Sequence, residues 1–292
     1  MNTWLINTLV FLCFVGGIYL VLGVLFARAF FHNRKHRLPV ERSQLIRMPA
    51  QALNSQIQST SIEVMGLGVV ITALMTSPFV YVGSQYISFT EPTSISIMIA
   101  IAIGVIYGCV RAWKYTDQLI KLKLGRDAEL AVASELMKLQ SLGYQVFHDV
   151  QADGFNIDHL VVGPNGVFAV ETKGRHKRTA DAQNGQKDYV MSFENNQLNF
   201  PSWIEKEPLD QALRQAKWVA TWLNKASGMQ LNVMPLLVYP GWFVNLKSKP
   251  PFPVLNHKQL EKTIPTLRGT QLDPMQINAV SYQVVQRCLT GK

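Results

Sequence analysis

The chain has 292 residues, room for about two domains, and carries a formal net charge of +9. Residues 1–110 hold only 6 of the 28 Lys and Arg and 3 of the 19 Asp and Glu, so a nearly charge-free part precedes a basic soluble part. The basic part suits nucleic acid or an anionic lipid surface. The three cysteines lie far apart without Cys-x-x-Cys spacing, which excludes a disulfide framework and a zinc site.

Three uncharged apolar runs in the first part are long enough to be membrane spans. They cover about residues 4–27, 64–87 and 93–111, and roughly 20 apolar residues in a helix cross a hydrocarbon core of about 30 Å. A signal peptide is the alternative for the first run, but that run is too long and no Lys or Arg precedes it. We therefore predict that residues 1–114 are an all-α region of three transmembrane helices.

The distribution of charge predicts the orientation of these spans. Six Lys and Arg follow the first span, whereas the loop between the second and third has only Glu91, and basic loops stay cytoplasmic. We expect a multi-pass protein of the cell inner membrane with its N-terminus outside and residues 115–292 in the cytoplasm. Membrane lipids are expected partners, and the spans suit a homo-oligomer or partner proteins. Residues 39–62 fit either a surface helix or a linker.

The cytoplasmic part mixes helical and β-type patterns, which predicts an α/β fold. Helical spacing covers 117–142, with Gly125 as a predicted break and Gly143 as a stop signal. The predicted strands are 145–150, 156–162, 167–172, 189–193, 197–200 and 233–239. Helices are predicted at 208–224, near 258–263 and at 274–289, the last with Asp273 as N-cap.

Two of these strands are joined by Gly163-Pro164-Asn165-Gly166, a strong turn signal. A four-residue loop places Asp158 opposite Glu171, whereas a two-residue turn at Asn165-Gly166 places Asp158 opposite Lys173. Both registers bring Asp158, Glu171 and Lys173 to one face of the hairpin. Only a three-residue loop without a bulge would separate them.

The two carboxylates of this hairpin repel each other, at a cost of up to about 1 kcal/mol in a solvated sheet and more in a buried one. The rest of the hairpin is apolar on both faces, so something must neutralise the acids. A divalent cation does so, and Mg²⁺ accepts two carboxylates and a backbone carbonyl while retaining waters. Lys173 is then placed to orient or deprotonate water, or to stabilise charge on a phosphate.

These residues resemble a known pattern, the Asp … Glu-x-Lys motif of the PD-(D/E)xK restriction-endonuclease-like superfamily. The surrounding motifs are similar to those of the nuclease-related domain, NERD, over about residues 122–240. They are Gly125-Arg126-Asp127-Ala128-Glu129, Asn156-Ile157-Asp158-His159, Gly163-Pro164-Asn165-Gly166-Val167-Phe168 and Glu171-Thr172-Lys173-Gly174. The resemblance implies a mixed sheet flanked by helices and DNA cleavage with Mg²⁺ or Mn²⁺, Asp158 and Glu171 as metal ligands, and Lys173 as the polar catalyst.

The resemblance adds two residues outside the hairpin. Glu129 matches the family's acid on the first helix, placed to bind metal through water, and Gln211 is similar to a supporting family glutamine. Their alternatives are an exposed acid at a helix start and a solvated helix residue. Ile157 stands where the superfamily has proline, which makes the short motif less specific. His159 faces away from Asp158, and we interpret it as structural.

A basic run follows Lys173. Arg175, Lys177 and Arg178 are predicted to contact phosphates, which gives affinity without sequence information. A solvated run of charge is the alternative. The candidates for base stacking are Trp203, Trp218, Trp222 and Trp242, although two of them lie four residues apart on the 208–224 helix and fit a core better.

The sequence therefore predicts a membrane-anchored, metal-dependent DNA nuclease at the cytoplasmic face, a location that suits defence against foreign DNA. The alternative is a non-catalytic nucleic-acid-binding or sensing module coupled to the membrane. The presence of all three hairpin residues argues against that alternative. Transport by the spans ranks last because they have no ionisable residue in their middle.

Overall fold

The computed structural model describes residues 24, 27, 28, 31, 45–83 and 92–290. These residues fall into two compact units. The first contains residues 58–119, and the second contains residues 45–57 together with 120–290. The predicted span at 4–27 lies almost entirely outside the described residues. Residues 45–57, which the sequence assigns to the transmembrane region, are grouped with the second unit.

Two long helices carry the apolar part of the chain. Helix α1 is Gln51–Gly83 and helix α2 is Pro92–Met137. The stretches Gln51–Ser77 and Ile95–Leu142 are each long and apolar enough to cross a membrane, judged by length and composition. The spans predicted at 64–87 and 93–111 coincide with these helices wherever the chain is described.

Helices α1 and α2 approach each other closely inside the first unit. A Cβ added at Gly104 would lie 3.2 Å from Leu74 Cδ1, and one at Gly108 would lie 2.8 Å from Ile71 Cγ1. Small residues let the backbones of apolar helices come together in this way.

Helix α2 continues through Gly125, so the break predicted there is wrong. A Cβ at Gly125 would lie 3.3 Å from Leu53 Cδ1, and the glycine therefore makes room for a neighbouring side chain. Its cost in a helix interior is about 1 kcal/mol relative to alanine. The helix tightens into a 3₁₀ turn at Lys138–Leu142 and ends at Gly143, whose φ is 84°, which confirms the predicted stop.

The second unit is α/β, as predicted, with mixed sheets flanked by helices. In chain order its strands are β1 (Gln145–Gln151), β2 (Asn156–Gly163), β3 (Gly166–Thr172), β4 (Val190–Glu194), β5 (Gln197–Asn199), β6 (Ile204–Glu205), β7 (Val233–Val238), β8 (Phe243–Leu246) and β9 (Val254–Leu255). One sheet has the order β1-β2-β3-β7-β9, antiparallel from β1 to β3 and parallel from β3 to β9. The other has the order β6-β5-β4-β8.

Helices cover both faces of the first sheet. The remaining helices are α3 (Thr179–Gln183), α4 (Glu207–Ser227), α5 (Leu260–Thr263) and α6 (Pro274–Thr290). Helices α4 and α6 pack against the face that carries Leu160 and Val162, and the end of α2 packs against the face of Val161 and Phe168. This two-sided cover explains why β2 and β3 are apolar on both faces between the hairpin tip and the site acids. Asp273 caps α6 by accepting from the Gln276 amide at 2.8 Å.

The β2–β3 hairpin has the register of the four-residue loop. Val162 pairs with Val167 and Gly163 with Gly166, so Pro164 and Asn165 form the tip. Continued along the strands, this register places Asp158 opposite Glu171.

The second hairpin, β4–β5, turns at Asn195-Asn196 with φ values of 54° and 55°, as a type I′ turn requires. Strands β6, β8 and β9 were not predicted. They have two to four residues each, too few to show a period.

Candidate active site

Asp158 and Glu171 meet near the open end of the β2–β3 hairpin. Asp158 is partly buried, and its Oδ2 accepts a hydrogen bond of 2.7 Å from the Thr172 backbone amide. Glu171 is 2% exposed. The hydrogen bond crosses from one strand to the next, so it fixes the Asp158 carboxylate beside the end of β3.

Lys173 completes the predicted trio. Its Nζ lies 2.7 Å from Glu171 Oε1 and donates to Gln211 Oε1 at 2.7 Å. Its backbone amide donates to Val238 O at 2.9 Å, which keeps the chain alongside β7 after β3 ends. The structure therefore brings Asp158, Glu171, Lys173 and Gln211 together, and Gln211 is not a solvated helix residue.

Gly174 lets this strand end pass close to helix α2. A Cβ at that position would lie 2.8 Å from Leu124 O and 3.1 Å from Ala128 Cβ. Backbone and a short side chain cannot move out of the way, so the position requires glycine. The close passage places the end of β3 next to the turn of α2 that carries Glu129.

Glu129 is buried, and the alternative of an exposed acid at a helix start is wrong. Burial, followed by the charges of Asp149 and Glu171, raises its pKa to about 8. The backbone amide of Ala50 and the ammonium of Lys173 oppose this shift. Position 129 lies within α2, because that helix does not break at Gly125.

Burial also raises the pKa of the two hairpin acids. For Asp158 the carboxylates of Glu171 and Glu129 add to the effect, and the pKa lies well above its usual value. For Glu171 the ammonium of Lys173 opposes the upward shift. Three acids thus share one poorly solvated site, and each disfavours ionisation of the others.

The site has an unused buried acceptor. Glu171 Oε2 has no hydrogen-bond partner within the described part of the chain, and such an oxygen pays the full cost of desolvation. Across those same residues, no three His, Cys, Asp or Glu side chains are grouped closely enough to hold a metal by themselves. The carboxylates of Asp158 and Glu171 are hard oxygen donors, a type of ligand that Mg²⁺ accepts together with several waters.

Residues 124–240 match the family model of the nuclease-related domain. This part of the chain is a NERD domain. The matched range includes the buried acid of α2, the hairpin trio and Gln211 on α4. No curated protein and no solved structure matches the chain.

The NERD domain contains a second buried glutamine that was not predicted. Gln215 is 3% exposed, lies beside Glu171, and directs its Nε2 toward Asn156 O at 3.4 Å. Its Oε1 has no hydrogen-bond partner among the described residues. The sequence contains one indication of this residue. Gln215 follows Gln211 by four residues, which puts both side chains on one face of α4.

Asp149 is a further buried acid that was not predicted. Its Oδ1 accepts from Asn156 Nδ2 at 2.7 Å, and its Oδ2 accepts from Arg47 Nη2 at 2.6 Å and from the Ala52 amide at 2.8 Å. Arg47 and Ala52 lie in the segment interpreted as a surface helix or a linker. No local pattern indicates this contact.

Two clefts are lined by the acids of the site. One, of about 740 Å³ and here called the basic cleft, is lined by Lys121, Lys173, Arg175, His176 and Arg178, and also by Glu171 and Glu205. The other, of about 910 Å³, has Asp149 and Asp153 on its wall, with Arg287 as its cation. Both clefts are also lined by Leu53, Glu129, Asp158 and Gln211.

The basic run of the NERD domain is only partly available to a ligand. Arg175 forms two hydrogen bonds, of 2.7 and 3.0 Å, with the Glu205 carboxylate. The Arg178 guanidinium lies 4.6 Å from the centre of the Trp203 ring. Lys177 is exposed.

The tryptophans considered for base stacking contact other side chains. Trp203 stacks on Phe200 at 4.4 Å, and Trp218 stacks on Trp222 at 5.6 Å. Trp242 is buried. These rings are part of the packing of the domain.

His159 is buried and hydrogen-bonds to another histidine. Its Nδ1 lies 2.8 Å from His148 Nδ1. This pairing agrees with a structural role.

Proposed function

We propose that the NERD domain is a divalent-metal-dependent nuclease that hydrolyses DNA phosphodiester bonds and is anchored to a membrane by the apolar helices. One observation carries the proposal: Asp158 and Glu171 share a poorly solvated site in which Lys173 is the adjacent ammonium. Without a metal these acids keep protons because their pKa values are raised, and a divalent cation would take the place of those protons.

Asp158 and Glu171 are the residues that would hold Mg²⁺ or Mn²⁺, with Glu129 acting through water. When bound, the metal supplies Lewis-acid stabilisation of the phosphate and a water of lowered pKa. Lys173 holds its positive charge beside the same carboxylates, where it would stabilise the charge that develops on phosphate oxygens. Gln211 orients the ammonium through their 2.7 Å hydrogen bond.

The basic cleft supports an anionic polymer as substrate. Lys121 and Arg178 line this cleft beside the acids, and phosphate contacts of this kind give binding without sequence preference. The reaction adds water across one phosphodiester bond and leaves a phosphate monoester and a hydroxyl.

The apolar helices support the membrane anchor. Their apolar side chains are mostly exposed, and apolar surface of this extent marks contact with lipid or with another protein. The charge distribution of the sequence favours a cytoplasmic NERD domain. This location is where incoming DNA arrives, so we propose defence against foreign DNA as the biological role.

The test is a cleavage assay on the full chain in detergent micelles, with plasmid, linear and single-stranded DNA. We expect cleavage with Mg²⁺ or Mn²⁺, none with EDTA, and none by the Glu171→Ala variant. If the wild type and Glu171→Ala were equally inert on DNA and on RNA, catalysis would be rejected. Salt-dependent DNA binding without cleavage, unaffected by Lys173→Ala, would identify a binding or sensing module instead.

A further inference from the structure

Residues 45–57, here called the docking segment, belong to the same compact unit as the NERD domain. Arg47 donates from Nε and Nη2 to Asp149 Oδ2 at 3.0 and 2.6 Å. The backbone amide of Ala52 donates to that same oxygen at 2.8 Å. Three donors on one buried carboxylate oxygen make a specific attachment.

The attachment holds two residues in an unfavourable backbone conformation. Ala50 has a φ of 56° and Asp149 has a φ of 50°. Residues with a Cβ seldom adopt this left-handed region, and they remain in it only where their surroundings hold them there. The strain lies on both sides of the contact, which is typical of a functional site.

Ala50 reaches the acid of helix α2. It is 1% exposed, and its backbone amide hydrogen-bonds to the Glu129 carboxylate. Helix α1 begins at the next residue, so its positive N-terminal end also lies at this carboxylate. The docking segment therefore contacts Glu129 through the Ala50 backbone.

Leu53 places the docking segment at the mouth of the site. It lines both the basic and the acidic cleft. Its Cδ1 would lie 3.3 Å from a Cβ at Gly125. This close contact explains why the first position of the NERD motif is a glycine.

We infer that the docking segment is a working part of the nuclease site, with Arg47 and Ala50 as positioning residues for Glu129. The inference rests on the proposed function. Helix α1 continues from Gln51 to Gly83, so the part of the docking segment from residue 51 onward and the apolar stretch belong to one helix. A displacement of the start of α1 would therefore reach Glu129 and change the rate of cleavage.

The test is a double-mutant cycle on the full chain in detergent micelles, with Mn²⁺ and plasmid DNA. Arg47→Ala should lower kcat about 10- to 100-fold, as the loss of a supporting contact does at metal sites, and leave KM unchanged. In a Glu129→Gln background the same change should have little further effect, because Arg47 acts through Glu129. Lys247→Ala, which removes an exposed ion pair with Glu194, is the matched control and should keep full activity.

Amide hydrogen exchange supplies a readout that does not need activity. Arg47→Ala should speed exchange at residues 50–54 and 127–131, and Lys247→Ala should not. Unchanged exchange, full activity of Arg47→Ala, or an equal loss in both backgrounds would overturn the inference. An inert wild type would instead reject the proposed function, and unchanged exchange would then still reject the docking contact itself.

Discussion

Lys173 Nζ lies 2.7 Å from Glu171 Oε1, and the two side chains come from positions two residues apart at the end of strand β3. The ammonium neutralises one carboxylate of a site that holds three acids. Because Glu171 is buried, removal of its partner leaves a charge without compensation. Breaking a buried pair in this way typically costs about 3–5 kcal/mol.

The first prediction concerns the Lys173→Met variant. We expect cleavage to fall about 100- to 1,000-fold, since one charge that stabilises the phosphate is lost. In EDTA the variant should also unfold at a lower temperature than the wild type, and Mg²⁺ should restore much of the difference by neutralising Glu171. Cleavage rates and thermal unfolding with and without Mg²⁺ measure both effects, and Lys173→Arg is the charge-preserving control. A Tm equal to that of the wild type in EDTA would show that Glu171 does not need its partner.

The second prediction concerns Gln215, whose Oε1 is buried without a partner. Gln215→Glu adds a fourth acid beside Glu171, so the metal-free protein should be less stable and Mg²⁺ should stabilise it more than it stabilises the wild type. Gln215→Met has a similar length and removes the unpaired oxygen, but it also removes the amide donor to Glu171 and Asn156 O, so it should lower stability by about 1–3 kcal/mol. Thermal unfolding over a Mg²⁺ titration separates these outcomes. Equal Mg²⁺ stabilisation of wild type and Gln215→Glu would place Gln215 outside the cation site.

Local sequence information was enough to find the hairpin trio. Strand patterns flank a turn signal whose tip is Pro164-Asn165, and the alternation of side chains along β2 and β3 then brings Asp158, Glu171 and Lys173 together in either plausible register. Periodicity also indicated helix α4 and strand β7. These features depend on residues that are close in the chain, so a pattern of a few residues determines them.

The remaining contacts of the site could not be predicted because they join distant residues. Arg47 and Asp149 are 102 residues apart, and nothing in the polar stretch around Arg47 indicates its partner. The local sequence predicts a helix break at Gly125. The reason for this glycine, its close approach to the Leu53 side chain, is a tertiary contact that no local pattern shows. The buried state of Glu129 likewise depends on Ala50, which approaches it from another part of the chain.

The third prediction is that Lys177 and Arg175 of the basic run have different roles, the first in DNA binding and the second in stability. Lys177 is exposed, so Lys177→Ala should weaken DNA binding at all sequences and reduce the salt slope by about 1. Arg175 is bound to Glu205, so Arg175→Ala should mainly lower stability, because it leaves the Glu205 carboxylate without its partner. Fluorescence anisotropy with a Glu171→Ala protein at several salt concentrations measures binding without cleavage. A larger loss of binding from Arg175→Ala at equal folded fraction would contradict this division.

The fourth prediction concerns the pH dependence of stability without metal. Burial, together with Asp149 and Glu171, raises the pKa of Glu129 to about 8, and Asp158 is also raised. The folded state therefore keeps protons that the unfolded state has already released, and the free energy of unfolding should fall as pH rises from about 7 to about 8.

The histidines do not obscure this window. Burial lowers the pKa of His148 to about 4 and also lowers that of His159, so both are neutral in the folded state. In the unfolded state they gain protons only near their ordinary value of 6.5 and below. Their contribution makes stability rise with pH up to that point and is constant above it.

Chemical unfolding in EDTA at closely spaced pH values should therefore show stability decreasing above pH 7 in the wild type and a flatter profile in Glu129→Gln. Saturating Mg²⁺ should flatten the wild-type profile as well, because the cation takes the place of the protons, and Mg²⁺ affinity should rise over the same pH range. Stability that stayed constant from pH 7 to 8 in EDTA would mean that the acids are already ionised in the folded protein. The folded protein would then tolerate the negative charge of these acids without a cation, and the cation would not be needed to replace bound protons.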